Sequence, residues 1–169
     1  MKIELRRAVP DDQAFLWQML YYAAHMDEGG EAPESARANP ALAPYVEGFG
    51  RADDVGVIAI DAINHERVGA AWIRRMPPGW PLYEVIEAAT PELAIAVTPA
   101  YIGRGAGGLM IARLLDTAAA DHRAIMLSVR ANNPAKVLYE RHGFSVVAEI
   151  TNRVGGKSLI MKIELDGVR

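Results

Sequence analysis

The sequence predicts one mixed α/β domain in which helices lie on the faces of a sheet. Stretches that suit short strands alternate with segments whose apolar residues recur at helical spacing. The predicted order is a strand, helices, three strands, a helix, a strand, a helix and two strands, which is the pattern of a sheet covered by helices. No internal repeat or shift in composition divides the 169 residues, so we expect a single domain over 1–169.

The first third of the chain begins with regular elements and then loses its pattern. Apolar and polar side chains alternate over 3–7, and Pro10 with the two acids after it suits the first turn of a helix. The core face of this helix is expected to be Phe15, Leu16, Met19, Leu20 and Ala23. Segment 27–53 is rich in glycine and proline, and we expect a long loop with one short helix over 35–47. Loops of this length are often functional.

The middle of the chain carries three strands and an irregular connection. Strands are predicted over 55–60 and 67–74, and a third over 93–97. Between the second and third strands, segment 76–90 is punctuated by proline and glycine, so we expect it to be a loop.

The last third alternates helices and strands. A helix is predicted over 106–120, with a buried stripe of Met110, Ile111, Leu114, Leu115 and Ala118, and a strand over 125–129. Asn133 is expected to cap a second helix that begins with Pro134 and ends at Gly143. The last two strands are predicted over 144–150 and 158–163, and a turn at 155–156 joins them.

Composition excludes several kinds of protein. The net charge is −3, which does not favour a nucleic-acid partner, and the absence of cysteine excludes disulfides, thiolate zinc sites and a cysteine nucleophile. The four histidines, His25, His65, His122 and His142, show no metal-ligand spacing. No apolar run approaches the roughly 18 residues of a membrane span, and the N-terminus does not resemble a signal peptide. These features lead us to expect a cytoplasmic protein.

The segment 102–108, Ile-Gly-Arg-Gly-Ala-Gly-Gly, carries the strongest functional signal. It joins a predicted strand to a predicted helix. Glycines allow a ligand to approach the backbone closely, and the first N–H groups of a helix have no partner within that helix. Together with the helix dipole, such N–H groups favour an anion and above all a phosphate, while Arg104 adds a cation. The sequence therefore predicts a phosphate-binding turn.

Two other phosphate-binding patterns fit this turn poorly. The spacing of Gly103, Gly105 and Gly108 matches the dinucleotide pattern G-x-G-x-x-G. That fingerprint normally follows the first strand of a parallel repeat, with an acid about 20 residues later, whereas the next strand here ends at Arg130. A P-loop needs Lys-Ser/Thr after its last glycine, and Leu109 stands there instead.

Two motifs resemble those of the GNAT N-acyltransferase superfamily. Segment 92–107, Glu-Leu-Ala-Ile-Ala-Val-Thr-Pro-Ala-Tyr-Ile-Gly-Arg-Gly-Ala-Gly, is similar to its acyl-CoA motif, whose core is Gln/Arg-x-x-Gly-x-Gly/Ala. Gly105 and Gly107 match this core, while Ile102 stands where Gln or Arg is usual. Segment 133–144, Asn-Pro-Ala-Lys-Val-Leu-Tyr-Glu-Arg-His-Gly-Phe, is similar to the family's N-x-x-A-x-x-L-Y-x-x-x-G-F motif.

The resemblance implies a fold and a cosubstrate. The fold is a mixed, mostly antiparallel sheet whose central strands, here 93–97 and 125–129, splay apart. Acetyl-CoA is the implied cosubstrate, with no metal. Its pantetheine arm would pair with the backbone of one strand, its diphosphate would lie on the amides of 103–108, and Asn133 would reach the arm. The residues expected to bind it are Ile95, Val97, Thr98, Gly103, Arg104, Gly105, Ala106, Gly107, Gly108, Asn133, Ala135, Lys136 and Tyr139.

The implied reaction is attack by an amine on the acetyl thioester. Without a cysteine or a serine in a G-x-S-x-G setting, we expect direct transfer in a ternary complex and no acyl-enzyme. Glu92 is our candidate base, acting through water. By resemblance, the Val97 N–H would stabilise the carbonyl oxygen as it gains charge, and Tyr139 would supply the proton that the departing thiolate needs.

Acceptor choice should depend on segments 21–50 and 76–90, the most individual parts of the chain. Residues 1–50 contain four Lys or Arg and eight Asp or Glu, a net charge of −4. The run Asp27, Glu28, Glu31, Glu34 suggests a cationic acceptor such as a polyamine, an aminoglycoside or a basic peptide. Trp17, Tyr21, Tyr22, Trp72, Trp80 and Tyr83 could line its pocket, although we expect most of them, and Trp72 in particular, to lie in the core.

Two other classes of protein remain as alternatives. One is a non-catalytic acyl-CoA-binding or sensor module on the same fold, and the other is a dinucleotide-dependent oxidoreductase. No nucleic-acid or membrane partner is expected. Many relatives in the superfamily form dimers, so a homodimer is one state that the resemblance leaves open.

Overall fold

A seven-stranded sheet organises the residues that the computed structural model describes, 2–152 and 155–165. Its strands are β1 (Ile3–Arg7), β2 (Val55–Asp61), β3 (Arg67–Arg74), β4 (Glu92–Val97), β5 (Ala124–Arg130), β6 (Ser145–Thr151) and β7 (Lys157–Glu164). The α-helices are α1 (Gln13–Ala23), α2 (Glu34–Arg37), α3 (Ala106–Ala118) and α4 (Ala135–Arg141). Single turns of 3₁₀-helix occur at Pro10–Asp12, Ala43–Tyr45, Pro81–Glu84 and Pro99–Tyr101.

The strand order across the sheet is β1-β2-β3-β4-β5-β7-β6. Every neighbouring pair is antiparallel except β4 and β5, which run parallel. Parallel neighbours need a crossover, and α3 supplies it on one face of the sheet. This is the mixed, mostly antiparallel sheet that the sequence predicts, so the expected fold class is confirmed.

Two apolar layers hold the sheet between its helices. On one face, α3 buries Met110, Ile111, Leu114 and Ala118 against strand residues that include Ile73, Leu93 and Ile125. On the other face, α1 buries Phe15, Leu16, Met19 and Leu20 against Ile58, Ala70 and Trp72. Successive residues of a strand point to opposite faces, and the side chains of β4 follow this rule, with Ala94 and Ala96 toward α1 and Leu93, Ile95 and Val97 toward α3.

The predicted order of elements is confirmed, and the differences are local. Segment 35–47 forms two separate short helices because Asn39 and Pro40 interrupt it, so the single predicted helix was wrong. Ala23 and Leu115 are only half-buried. Of the turn between β6 and β7, residues 153 and 154 lie outside the described part. Within the described ranges, no helix is both long and apolar enough to cross a membrane.

Candidate active site

The central strands β4 and β5 part immediately after they meet. Their ladder contains one residue pair, Glu92 with Met126, where the Met126 N–H donates to the Pro91 carbonyl (3.0 Å). On the other edge of β4, the N–H just after the strand, that of Thr98, donates to Val68 of β3 (2.8 Å). Because the N–H groups of a strand alternate in direction, those of Ile95 and Val97 point toward β5, beyond the point where pairing has ended. The splayed pair predicted from the sequence is therefore present.

The glycine turn lies at the open end of this split. Gly103 (φ +80°) and Gly105 (φ +87°) adopt left-handed backbone that other residues rarely take, and Gly105 precedes Ala106, the first residue of α3. A side chain on either glycine would point into open space. Among the described residues, none accepts a hydrogen bond from the N–H groups of Gly103 or of 105–108. The turn thus presents free amides beside open space, as an anion site requires.

The surroundings of the turn come from a short loop and from α4. The Arg104 guanidinium lies over the Tyr101 ring, 5.1 Å from its centre. Gly107 faces α4 so closely that a methyl group there would meet Leu138 Cδ2 at 3.3 Å. Ile102 is 69% exposed, so an apolar side chain occupies the solvent-facing position where the family usually has Gln or Arg.

The start of α4 carries the asparagines of the second motif. Asn133 Oδ1 accepts a hydrogen bond from the Ala135 N–H (2.9 Å), so its side-chain oxygen serves as the helix cap that the sequence predicts. The family motif places its asparagine three residues before the alanine, and counting back from Ala135 gives Asn132. The assignment of Asn133 as the motif's asparagine was therefore wrong by one residue. Asn132 is exposed before the helix, and Lys136 pairs with Glu140 one turn on (3.3 Å).

Tyr139 lies on the inner face of α4. Its ring packs edge-on against Phe144, 6.1 Å between centres, and the residue is only 8% exposed. Burial raises the pKa of its phenol to about 12. The hydroxyl bonds to none of the described residues. Every fully buried side-chain oxygen in this part of the chain does have a hydrogen-bond partner. Its oxygen must therefore reach accessible space, and it is a protonated donor with nothing yet to donate to.

Glu92 is a buried acid at the apex of the split, with 3% of its surface exposed. Its Oε1 accepts a hydrogen bond from Trp80 Nε1 (2.8 Å), and its Oε2 accepts one from the Tyr45 hydroxyl. The Tyr45 and Trp80 rings pack edge-to-face, 5.6 Å between centres. Removal from water raises the pKa of Glu92 to about 7, against the lowering effect of both hydrogen bonds. A carboxyl group with this pKa can accept a proton near neutral pH.

Tyr45 and Trp80 did not emerge from the sequence as a pair on Glu92. Both lie in the segments that lack regular pattern, and neither segment contains a periodicity that relates it to the start of β4. Trp72, expected in the core, is 1% exposed, and its Nε1 donates to the Tyr45 carbonyl (2.7 Å). Tyr83 is tied to the backbone of Met76 through its hydroxyl (2.9 Å from the N–H).

The four acids 27, 28, 31 and 34 are exposed in the loop that follows α1. Glu28 accepts from His25 Nδ1 (2.6 Å), which lowers the pKa of this carboxyl, and its other oxygen lies 4.0 Å from Arg130 Nη1 at the end of β5. The loop therefore reaches from the β4 side of the split to the β5 side. Trp17 and Tyr21 are buried in the α1 layer, as expected for core residues.

The histidines show no metal-ligating arrangement. His122 is buried and contacts the Asp53 carbonyl (3.0 Å), while His142 contacts the Leu138 carbonyl (2.9 Å). In the described part of the chain, no three side chains of the metal-binding types are grouped to hold an ion.

The fold and the glycine turn define a class of protein, and the sequence agrees. The profile of the Acetyltransferase (GNAT) domain matches residues 52–146, more than half of the chain. This chain belongs to the GNAT acetyltransferase family. A search of curated protein sequences finds no match.

Solved structures with the same fold are distant in sequence. One is a candidate acetyltransferase, YncA, from Salmonella typhimurium with its cofactor acetyl-CoA, at TM-score 0.71 and 19% identity over 100% of this chain and 97% of that one. Another is a candidate phosphinothricin N-acetyltransferase, with a TM-score of 0.71 and 21% identity. The match covers 98% of this chain and 100% of that one. A third is a chimera of the spermidine N-acetyltransferase SpeG from Vibrio cholerae and hSSAT, with a TM-score of 0.66 and 19% identity. The match covers 98% of this chain and 96% of that one.

Proposed function

We propose that this chain is an N-acetyltransferase that moves the acetyl group of acetyl-CoA to a primary amine of a small molecule or peptide. The observation that carries the proposal is the split between β4 and β5, which ends at a turn of unpartnered amides. A long cosubstrate with an amide-rich arm and a diphosphate matches both features. Transfer is direct, in a ternary complex of protein, acetyl-CoA and amine.

The residues present fit acetyl-CoA in two places. The N–H groups of Ile95 and Val97 point into the split, where the pantetheine amides can pair as an added strand does. The amides of 103 and 105–108 lie in one turn, with open space beside Gly103 and Gly105, which suits the diphosphate. Bound acetyl-CoA supplies a thioester carbonyl to the split, beside β4.

Three groups of the chain then serve the reaction. The amine nitrogen forms a bond to the carbonyl carbon, and the Val97 N–H stabilises the negative charge that grows on the carbonyl oxygen. Glu92 finally holds the proton that the amine loses, since its pKa near 7 matches neutral conditions. The C–S bond breaks with its electron pair on sulfur, and the Tyr139 hydroxyl gives that sulfur a proton, which solvent restores.

We infer further that the acceptor is cationic. Support comes from the four exposed acids of the α1–α2 loop and the start of α2, a segment that reaches the β5 side of the split through Glu28 and Arg130. One structure with this fold carries spermidine N-acetyltransferase in its name. A loop of negative charge raises the local concentration of a cation and speeds its encounter.

Neutralising the loop tests the charge of the acceptor. The quadruple variant is Asp27→Asn, Glu28→Gln, Glu31→Gln and Glu34→Gln. We expect about a fivefold higher KM for spermidine at low salt, with kcat little changed. The matched control, with four exposed acids elsewhere, is Asp121→Asn, Glu140→Gln, Glu149→Gln and Glu164→Gln. Equal KM values for the two variants would contradict the inference that the acceptor is cationic.

Calorimetry and a turnover assay test the function itself. Acetyl-CoA should bind and NAD should not. Release of free thiol should then follow addition of an amine from a panel of spermidine, phosphinothricin and 2-phenylethylamine, which present a polycation, an anionic amino acid and a neutral tail. Binding of acetyl-CoA without turnover of any amine would favour the acyl-CoA sensor, and binding of neither nucleotide would overturn the proposal.

A further inference from the structure

The buried position of Glu92 raises the question of how a proton reaches it. Only 3% of the residue is exposed, and each carboxyl oxygen already accepts a hydrogen bond from the protein, one from Trp80 and one from Tyr45. Because the carboxyl group is closed off, an amine held against the thioester does not reach it directly. The proton then arrives through a group that touches Glu92, and the protein supplies two such groups.

The two donors differ in what they can do with a proton. An indole N–H only donates, so Trp80 can stabilise the carboxylate but cannot carry a proton to it. A phenol both donates and accepts, so it can give its proton to one neighbour while it takes another from a second. Tyr45 is half-buried and its hydroxyl donates to the closed-off carboxyl group of Glu92, so this one residue has both an exposed part and a contact with the buried acid.

The position of Tyr45 is fixed through its backbone. Trp72 Nε1 donates to the Tyr45 carbonyl (2.7 Å). On either side of it, the Pro44 carbonyl (3.2 Å) and the Glu47 carbonyl (2.7 Å) both accept from Arg74 Nη1. These bonds do not involve the phenol, so the main chain should keep its place when the hydroxyl is removed.

The buried cation nearest in the sheet is already engaged. Arg74 lies directly opposite Glu92 in the β3–β4 ladder, but its Nε donates to Asp54 Oδ1 (3.1 Å) and its Nη1 holds the two carbonyls. Its charge is therefore matched by Asp54, and the polar atoms that bond to Glu92 itself are those of Tyr45 and Trp80.

We propose that Tyr45 is a catalytic residue of the acetyl transfer, the hydroxyl through which the proton of the attacking amine reaches Glu92. This inference rests on the proposed function. As the C–N bond forms, the amine proton passes through water in the split to Tyr45 Oη, and the proton of that hydroxyl passes to Glu92 Oε2. Tyr45 ends the step neutral and Glu92 ends it protonated. The carboxyl group releases its proton to solvent by the same path after the products leave.

The direct test is Tyr45→Phe, which keeps the ring and the backbone bonds. We expect kcat for the alkylamine that the wild-type chain acetylates, whether spermidine, phosphinothricin or 2-phenylethylamine, to fall about 100-fold, the usual scale for loss of a proton-transfer group. KM for that amine and the affinity for acetyl-CoA should stay within about threefold, because the hydroxyl acts in the transition state.

A second acceptor separates chemistry from packing. Hydroxylamine is largely unprotonated at neutral pH and needs less help from a base, so its kcat should fall less than about tenfold in the same variant. Equal losses for hydroxylamine and the alkylamine would indicate damage to the site and would overturn the proposal. So would a Tyr45→Phe variant as active as the wild type.

A control at the same position keeps the result interpretable. Incorporation of 3-fluorotyrosine at position 45 keeps an exchangeable hydroxyl and should retain activity within about tenfold. If it loses as much as phenylalanine does, proton transfer through this residue is excluded. A wild-type chain that binds no acetyl-CoA would instead defeat the proposed function.

Discussion

The two sides of the split between β4 and β5 are built from different parts of the polypeptide. On the side of α3 and α4, the main chain presents the proposed binding groups, as N–H groups of β4 and of the turn 103–108. On the side of α1, side chains from three separate segments meet, when Tyr45 and Trp80 close around Glu92. The first arrangement depends on backbone conformation and the second on long-range packing.

This difference explains why the glycine turn carries a family motif and the Tyr45–Trp80 pair does not. Any sequence that adopts the turn presents the same amides, so only the residues that permit its backbone, such as Gly105 with φ +87°, are constrained. A cluster of side chains changes with each substitution in the loops that supply it. The cofactor side should therefore tolerate changes to side chains better than the acceptor side does.

The largest effect should come from Glu92→Gln, on the acceptor side. Glutamine can still accept from Trp80 through Oε1, and its amide nitrogen can donate to the Tyr45 oxygen. The amide cannot take up a proton, however, so we expect kcat to fall about 1,000-fold with little change in acetyl-CoA affinity. Steady-state kinetics and calorimetry measure the two quantities. Glu87→Gln, at an exposed position of the nearby connection, is the matched control and should behave as wild type. Full activity in Glu92→Gln would remove the acid from the mechanism.

How far the sequence predicts the site follows the same division. The glycine turn, α3 and α4 could be predicted because their signals are local: glycine spacing, a capping Asn133 and apolar periodicity. Glu92 itself was found through its place at the start of β4. Its burial was not predictable, because it depends on residues 12 and 47 positions away that have no pattern in common with it.

The loop that carries Tyr45 shows why such contacts cannot be predicted from the sequence. The single helix predicted over 35–47 is broken into two pieces, and buried polar groups fix the second piece by its carbonyls. Arg74 reads as an ordinary end of a strand in the sequence, yet it is 2% exposed and bonds to Asp54. Only the folded chain brings these partners together.

The buried acid should also make stability depend on pH. The pKa of Glu92 is raised from 4.5 to about 7, so the folded chain keeps this proton to a higher pH than the unfolded chain does. Its contribution to stability is full below about pH 4.5 and is lost as pH rises through about 7. We expect the free energy of unfolding of Glu92→Gln to exceed that of the wild type by up to about 3 kcal/mol at pH 8.5, and by little at pH 5.

Urea unfolding of both chains at the two pH values measures this difference. Glu87→Gln again serves as the control, since an exposed carboxylate should give no pH-dependent gain. A constant difference between Glu92→Gln and the wild type at both pH values would show that burial does not shift the titration of this acid.

A smaller effect is expected from Tyr139→Phe, on the cofactor side. The phenol stays protonated through the neutral range because burial raises its pKa to about 12, so it can donate to the departing sulfur but adds no pH-dependent limb there. A thiolate leaves readily, and we expect kcat to fall roughly 30-fold, with acetyl-CoA affinity kept. Wild-type kcat in this variant, with Tyr83→Phe for comparison, would assign Tyr139 to packing against Phe144 alone.

The smallest effect should most cleanly separate the two sides of the split. Gly105→Ala and Gly79→Ala each place a methyl group at a positive φ, +87° and +81°, with open space around it. The backbone strain is therefore alike, and each should lose about 1–2 kcal/mol of stability. Only Gly105 belongs to the turn of free amides, so acetyl-CoA affinity should fall about tenfold in that variant and stay unchanged in the other. If calorimetry gave equal affinities for the two variants, the diphosphate would not lie on this turn. The claim that main-chain amides bind the cosubstrate would then be wrong.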